Sequence, residues 1–356
     1  MRKLIGSICF LLLAGVLVVA TPAAAAESKS KFRIAWSIYV GWMPWGYADE
    51  AGIVDKWADK YGIEIEVVQI NDYIESINQY TAGQFDGCVM TNMDALSIPA
   101  GGGVDSTALI IGDFSNGNDA LLVKGNGGLA TLKGKPVNLV ELSVSHYLLA
   151  RALASADMSE RDIKVVNTSD ADMVAAFATP DVTAAVTWNP LVSTIMEMPG
   201  VSKIYDSGDI PGEIIDMMVV NTDVLQANPA FGKALVGAWF ETMALMRGND
   251  AAGLAARGAM AQASGTDLAG YDAQLATTQM FYEPAQAVAF ARSPALPKTM
   301  DYVRRFLFEH GILGEGASSP DHVGMSFPDG STLGDTGNIK LRFDPAFMQL
   351  AAEGKL

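Results

Sequence analysis

Short runs of apolar and β-branched residues alternate with segments of helical spacing through residues 32 to 187, and that order confines the chain to an α/β fold. Phe32–Ile38 reads as a strand. Tyr47–Lys60 has helical spacing, with Ile53, Trp57 and Tyr61 on one side. Ile63–Ile70 alternates as a strand, and Asp72 is placed to cap a helix over Tyr73–Ala82. Phe85–Met90 reads as a strand, Asp94–Gly101 as a short helix ending in glycines, and Thr107–Ile111 as a strand. A βαβα succession predicts parallel strands joined by right-handed crossovers.

A second set follows. Ala120–Val123, Pro136–Val140, Ile163–Val166 and Val182–Thr187 are strand-like; Ser145–Ala156 and Ala171–Ala178 are helical. Met217–Val220 reads as a strand returning to the first set. Helices are then expected at Ala230–Met246, Ala251–Ala263 and Leu296–His310. The tail from Gly316 to Phe343, rich in Gly, Pro, Asp and Ser, reads as an ordered surface loop. The expected organisation is two lobes, each a mainly parallel sheet flanked by helices. Residues 32–118 plus 214–356 form lobe 1 and residues 119–213 form lobe 2. Two crossings between lobes make a hinge, and ligands commonly sit at such an interface.

The start of the chain is Met-Arg-Lys, an apolar run from Leu4 to Ala20, then Thr-Pro and Ala23 to Ala26. This is the pattern of a secretory signal peptide, residues 1–26, cleaved after Ala26. Loss of Arg2 and Lys3 deepens the formal charge of −16 by two, which argues against binding nucleic acid or anionic lipid through a basic face. Cys9 leaves with the leader. Cys88, in a strand-like run, reads as a small core residue and not a nucleophile.

Acids concentrate where ligands are expected. From Tyr61 to Val123 there is no Lys or Arg, yet nine acids. Asp94 and Asp113 follow strand-like runs, at the ends that face a crevice in an α/β fold. Asp119 lies at the proposed crossover, and Asp216 precedes the returning strand. Trp42-Met43-Pro44-Trp45 follows the first strand, so Trp42 and Trp45 are candidates for a stacking wall; the competing reading packs one of them in the core. Glu141, Ser145 and His146 sit where a strand gives way to a helix, whose first N–H groups can hold an anion or a carbonyl oxygen. His146, in a first turn, is expected to be neutral and hydrogen-bonded. Ser143 or Ser145 also reads as a simple cap. Trp188 and Asn189 repeat the pattern of an aromatic and an amide at a strand end.

Enzymatic signatures are sparse. There is no Gly-x-Ser-x-Gly, no Gly-Lys-Ser/Thr loop and no His-Glu-x-x-His. The histidines at 146, 310 and 322 are far apart, so neither a metal site nor a cofactor is expected.

Gly41-Trp42-Met43-Pro44, "KWADKYGIEIE", "QYTAGQFDG" and "TWNP" together resemble the periplasmic substrate-binding proteins of nitrate/sulfonate/taurine-type ABC transporters. That fold group includes thiamine-pyrimidine binding and synthesis proteins. "INDYIESINQYTAG", "TNMDAL", "GDFSNGND", "SVSHYLLA", "YDAQLATTQMFYEP" and "NIKLRFD" are most similar to a subgroup associated with urea carboxylase-like enzymes. The resemblance implies a two-lobed, type II-like binding protein in the periplasm, delivering a urea- or guanidine-type solute to an ABC permease and its ATPase. Alternatives it leaves open are a receptor for taurine, sulfonate, nitrate or a thiamine-pyrimidine precursor, and an enzyme of the thiamine-pyrimidine synthase type. The chemistry of the residues favours a cation. Guanidinium is planar and always protonated, so it needs carboxylates in its plane and an aromatic face; an anion needs Arg, Lys or free amides.

Overall fold

The structure, a computed structural model, describes residues 29–314 and 316–356. The expected signal peptide at 1–26 lies outside the described residues. Among the described residues, fourteen strands fall into two sheets. The first contains β1 (Lys31–Trp36), β2 (Glu64–Gln69), β3 (Gly87–Thr91) and β4 (Ser106–Ser115). The second contains β5 (Ala120–Lys124), β6 (Pro136–Leu139), β7 (Lys164–Asn167), β8 (Ala184–Thr187) and β9 (Val201–Asp206). The chain then returns to the first sheet through β10 (Ile215–Asn221), β11 (Thr278–Met280), β12 (Gly324–Ser326), β13 (Thr332–Leu333) and β14 (Ile339–Phe343). The first sheet runs β13-β12-β14-β4-β10-β3-β1-β2, with β11 also on β4; the second runs β7-β6-β8-β5-β9. The chain therefore leaves the first sheet between Ser115 and Ala120 and re-enters it between Asp206 and Ile215.

The α/β class matches the expectation, but the sheets are mixed and not mainly parallel. β1 pairs in parallel with β2 and β3 through helical crossovers. β10 comes back from the other sheet and inserts antiparallel between β3 and β4. β5 is likewise antiparallel to both β8 and β9. A strand that enters a sheet from a crossing, without its own helical crossover, is free to run either way.

Local chemistry sets the element ends. Asp72 caps the helix Tyr73–Thr81 by accepting from the Glu75 N–H at 2.9 Å. The expected helix over 47–60 is two helices, Met43–Glu50 and Ile53–Lys60, because Gly52 takes a left-handed conformation (φ 69°) between them. Phe32 of β1 stacks on Phe231 at 4.5 Å, anchoring the long helix Pro229–Met246 under the first sheet.

The tail is not a surface loop. β12 and β14 extend the first sheet, β14 pairing in parallel with β4. Met325, Leu341 and Phe343 are buried, and Phe327 stacks on Phe343 at 5.3 Å. These strands are short and glycine-interrupted, so their alternation is too brief to stand out. Leu341→Ala is expected to destabilise the fold by about 2–5 kcal/mol in a denaturant titration, as for other fully buried leucines. A loss under about 0.5 kcal/mol, normal for a surface position, would contradict this placement.

Candidate functional site

Three neighbouring strands of the first sheet end in acids or their partners. Asp216, at the start of β10, is in register with Thr91 of β3 on one side and Asp113 of β4 on the other. Thr91 caps the short helix Asn92–Ala95, so neither Asn92 nor Asp94 is needed as its cap. Asn92 instead binds the returning chain, accepting from the Ile215 N–H and donating to the Glu213 carbonyl. Asp94 accepts from the Tyr73 hydroxyl at 2.5 Å and the Thr91 hydroxyl at 2.8 Å. Asp113 accepts from the Tyr39 hydroxyl at 2.8 Å and the Thr278 hydroxyl at 2.6 Å. The loop after β1 lies directly on Asp113: a Cβ at Gly41 would come within 2.7 Å of its Oδ2. Asp119, at the crossing, accepts from the Ser115 hydroxyl at 2.5 Å.

These acids lie at a small cavity between the lobes of about 10 Å³, room for about one water. Tyr39, Trp42, Tyr73, Thr91 and Asp216 line it from the first sheet's side. Val144 and Trp188 line it from the second sheet's side, and Asp119 from the crossing. The four aromatic rings form a continuous wall. Tyr39 meets Trp42 edge-on at 5.0 Å, Trp42 meets Tyr73 at 5.6 Å, and Tyr73 meets Trp188 edge-on at 5.5 Å. Asp94 and Asp113 sit immediately behind, hydrogen-bonded to lining residues.

The cavity is electrostatically unfinished. Asp94, Asp113, Asp119 and Asp216 are all buried, and none makes a salt bridge among the described residues. One oxygen on each of three of them, Asp94 Oδ1, Asp113 Oδ2 and Asp216 Oδ2, has no hydrogen-bond partner. Burial pushes Asp94 up to about 6, against the pull of the Tyr73 and Thr91 hydroxyls that donate to its Oδ2. Burial pushes Asp119 up to about 7, and Asp113 and Asp94 add to this. Asp113 and Asp216 also lie above the ordinary carboxylate range, by burial, and Asp216 rises further because Asp113 is beside it. Neighbouring carboxylates oppose each other's ionisation. Arg151, on the helix Val144–Ser155, is engaged by Glu213 through two bonds of 2.9 Å. No group of three His, Cys, Asp or Glu among the described residues is arranged to hold a metal ion.

The structure thus gathers Trp42, Asp94, Asp113, Trp188 and Asp216 around one cavity. It adds Tyr39, Tyr73, Thr91 and Val144, which sequence reasoning passed over, and gives Asp119 a place in the lining. Ser145 is buried next to Val144 with its hydroxyl unpartnered, while Ser143 is the cap of that helix. Four expected contacts are placed elsewhere. Trp45 packs on Trp239 at 5.1 Å in the core, one turn into its helix. Glu141 is exposed, because Leu142 with φ 61° turns the loop outward. His146 belongs to a separate cluster: its Nδ1 accepts from the Leu142 N–H, its Nε2 lies 4.0 Å from Glu160, and burial lowers its pKa, so it is neutral as expected. Asn189 is structural. Its N–H donates to Asn118, its amide to Thr277, and its carbonyl accepts from the Val40 N–H. Trp188 is held against the first lobe by its indole N–H, which donates to the Ile38 carbonyl at 3.1 Å.

Comparison with known proteins gives a consistent picture. The model of the NMT1-like family matches residues 35–261. A protein of Brucella abortus (strain 2308), named only as a binding protein, is 26% identical over 219 residues, which is 60% of this chain and 66% of that protein. The matched region thus spans about two thirds of such a relative's length. The alkanesulfonate-binding protein from Xanthomonas axonopodis pv. citri, solved with MOPS bound, superposes with a TM-score of 0.66 at 19% identity, covering 82% of this chain and 96% of that one. The periplasmic nitrate-binding protein from Synechocystis PCC 6803 superposes with a TM-score of 0.59 at 14% identity, covering 92% and 99%. At these identities the superpositions establish the fold: mixed α/β, two sheets, that of the periplasmic binding proteins.

Proposed function

The chain belongs to the NMT1-like family, and from that premise we propose that it is an extracytoplasmic solute receptor of an ABC importer whose cargo is a small cation rich in N–H donors, of the guanidinium type. It captures the solute between its lobes, closes on it, and presents the closed form to a membrane permease. No covalent step is involved. Ligand binding shifts an open–closed equilibrium by its preference for the closed state.

One observation supports the cargo class above the others: three buried carboxylate oxygens without partners, beside a four-ring aromatic wall and without a basic side chain. A buried unpaired charge is expensive, so an apolar or anionic occupant would leave the cost standing or add to it. A quaternary ammonium ion suits the rings but offers no N–H to the carboxylates. Guanidinium offers six, and a flat face to the rings. At about 10 Å³ the cavity has room for about one water, so a solute of a few heavy atoms is held in a wider form of the same cleft. The structural neighbours named for sulfonate and nitrate share the fold; the lining of this cavity, with two acids and no basic side chain, supports a cation over such an anion.

A second reading is favoured by one atom. The Trp42 indole N–H is buried and unpartnered, and the carbonyl oxygen of neutral urea would accept from it. A thermal-shift panel at low millimolar guanidinium, methylguanidinium, urea, taurine and nitrate separates these readings. Guanidinium is expected to raise the melting temperature most; ligand at about a hundred times its Kd adds roughly 2.7 kcal/mol. A shift with urea alone would transfer the assignment to urea, and a shift with taurine or nitrate alone would remove the cation.

A further inference from the structure

Two helices start face to face across the cleft, one from each lobe. Tyr73–Thr81 belongs to the first and Asp170–Ala178 to the second. Each begins with N–H groups that its own helix leaves unpaired. Asp72 satisfies its own helix with Oδ1, which accepts from the Glu75 N–H. Its Oδ2 accepts from the Ser169 hydroxyl of the other lobe at 3.2 Å. Ser169 in turn accepts from its own helix, through the Ala171 N–H, while donating across. Asp170 completes the exchange: its Oδ1 accepts from the Tyr73 N–H of the opposite lobe at 3.2 Å.

We propose that this reciprocal capping is the latch of the closed form, and that Asp170 is a positioning residue acting on the binding cavity through Tyr73. Tyr73 links the two. Its backbone N–H is taken by Asp170, its ring lines the cavity, and its hydroxyl donates to Asp94 and accepts from the Thr91 N–H. Opening the lobes frees the Tyr73 N–H and loosens the residue that orients Asp94. The latch is reversible by construction, because closing it buries Asp170 near Asp72, a like charge that opposes the exchange. The inference rests on the receptor reading for its purpose but not for its test.

The test uses the chain from Glu27 onward, which lacks Cys9, carrying Asn78→Cys and Ala175→Cys, both exposed and one on each helix. The native Cys88 is buried and escapes labelling. Spin-label distances are measured without ligand and with guanidinium. Asp170→Ala and Ser169→Ala are each expected to move the ligand-free distribution toward longer distances, and to speed guanidinium release about three- to tenfold, the effect of one hydrogen bond. Asp170→Asn keeps an acceptor for the Tyr73 N–H and is expected to restore the parent distribution. Distributions unchanged in both alanine variants would overturn the latch; if Asp170→Ala fails to fold, Ser169→Ala decides. A lengthened distance in a chain that ignores guanidinium would keep the latch and reject the cargo.

Discussion

Asp94→Asn is expected to weaken guanidinium binding by about 30-fold to a few thousand-fold, the range of 2–5 kcal/mol for removing one partner of a buried, hydrogen-bonded charge pair. The same change is expected to raise the melting temperature of the ligand-free chain above pH 7. Both effects have one cause. Asp94 is buried, its Oδ1 has no partner, and its charge is opposed by burial. Asparagine keeps an oxygen for the Tyr73 and Thr91 hydroxyls while removing the charge. A carboxylate kept for stability behaves in the opposite way, because its removal destabilises. Weakened binding joined to a more stable empty protein therefore marks Asp94 as a ligand group. The two properties are read by calorimetry and by thermal unfolding of one preparation, and unchanged affinity in Asp94→Asn would show that the cation is held by other acids.

Affinity for guanidinium is expected to rise by up to about a thousandfold from pH 5 to pH 8 and then level off. Asp94 and Asp119 bind their protons more tightly in the folded chain, at about 6 and about 7, than unfolded carboxyls do near 3.9. Each such group contributes stability that is full below about pH 4 and is lost as pH rises through its folded value. The empty protein therefore loses stability between about pH 4 and 8 on account of these acids. A bound cation favours their charged forms and must displace the protons they hold. Below about pH 6 that displacement opposes binding; above about pH 8 Asp94 and Asp119 hold no proton to displace. Each proton released gives up to one decade of affinity per pH unit. An affinity flat across this range would mean that the acids around the cavity are not the groups that meet the ligand.

Part of this site was legible in the sequence because strand ends are legible. Asp94, Asp113 and Asp216 follow or precede apolar runs, and an α/β fold sends such positions to one edge. Their convergence rests on β10 inserting between β3 and β4, a pairing of residues about a hundred positions apart that no local pattern encodes. Trp42 and Trp45 look equivalent in Trp-Met-Pro-Trp. The helix that begins at Met43 separates them, leaving Trp42 at the strand end and rotating Trp45 onto Trp239. A tyrosine at the start of a helical segment, as Tyr73 is, reads as core, and Tyr39 directly after a strand-like run reads the same way; only the fold shows that their hydroxyls hold the acids. Glu141 and His146 had the right position along the chain and the wrong direction, set by the left-handed Leu142. β12 and β13, of three and two residues, are too short to declare themselves, and β9 and β14 interleave Lys and Arg with apolar residues in a Gly- and Asp-rich context.

The most direct test is calorimetric titration of the purified chain at pH 7.5 with guanidinium, urea, taurine and nitrate, repeated in two buffers of different ionisation enthalpy. Guanidinium is expected to bind at one site and more tightly than the other three, and the two buffers to give different heats because protons leave the site. Tight binding of taurine or nitrate together with silence toward guanidinium would contradict the assignment of a cation.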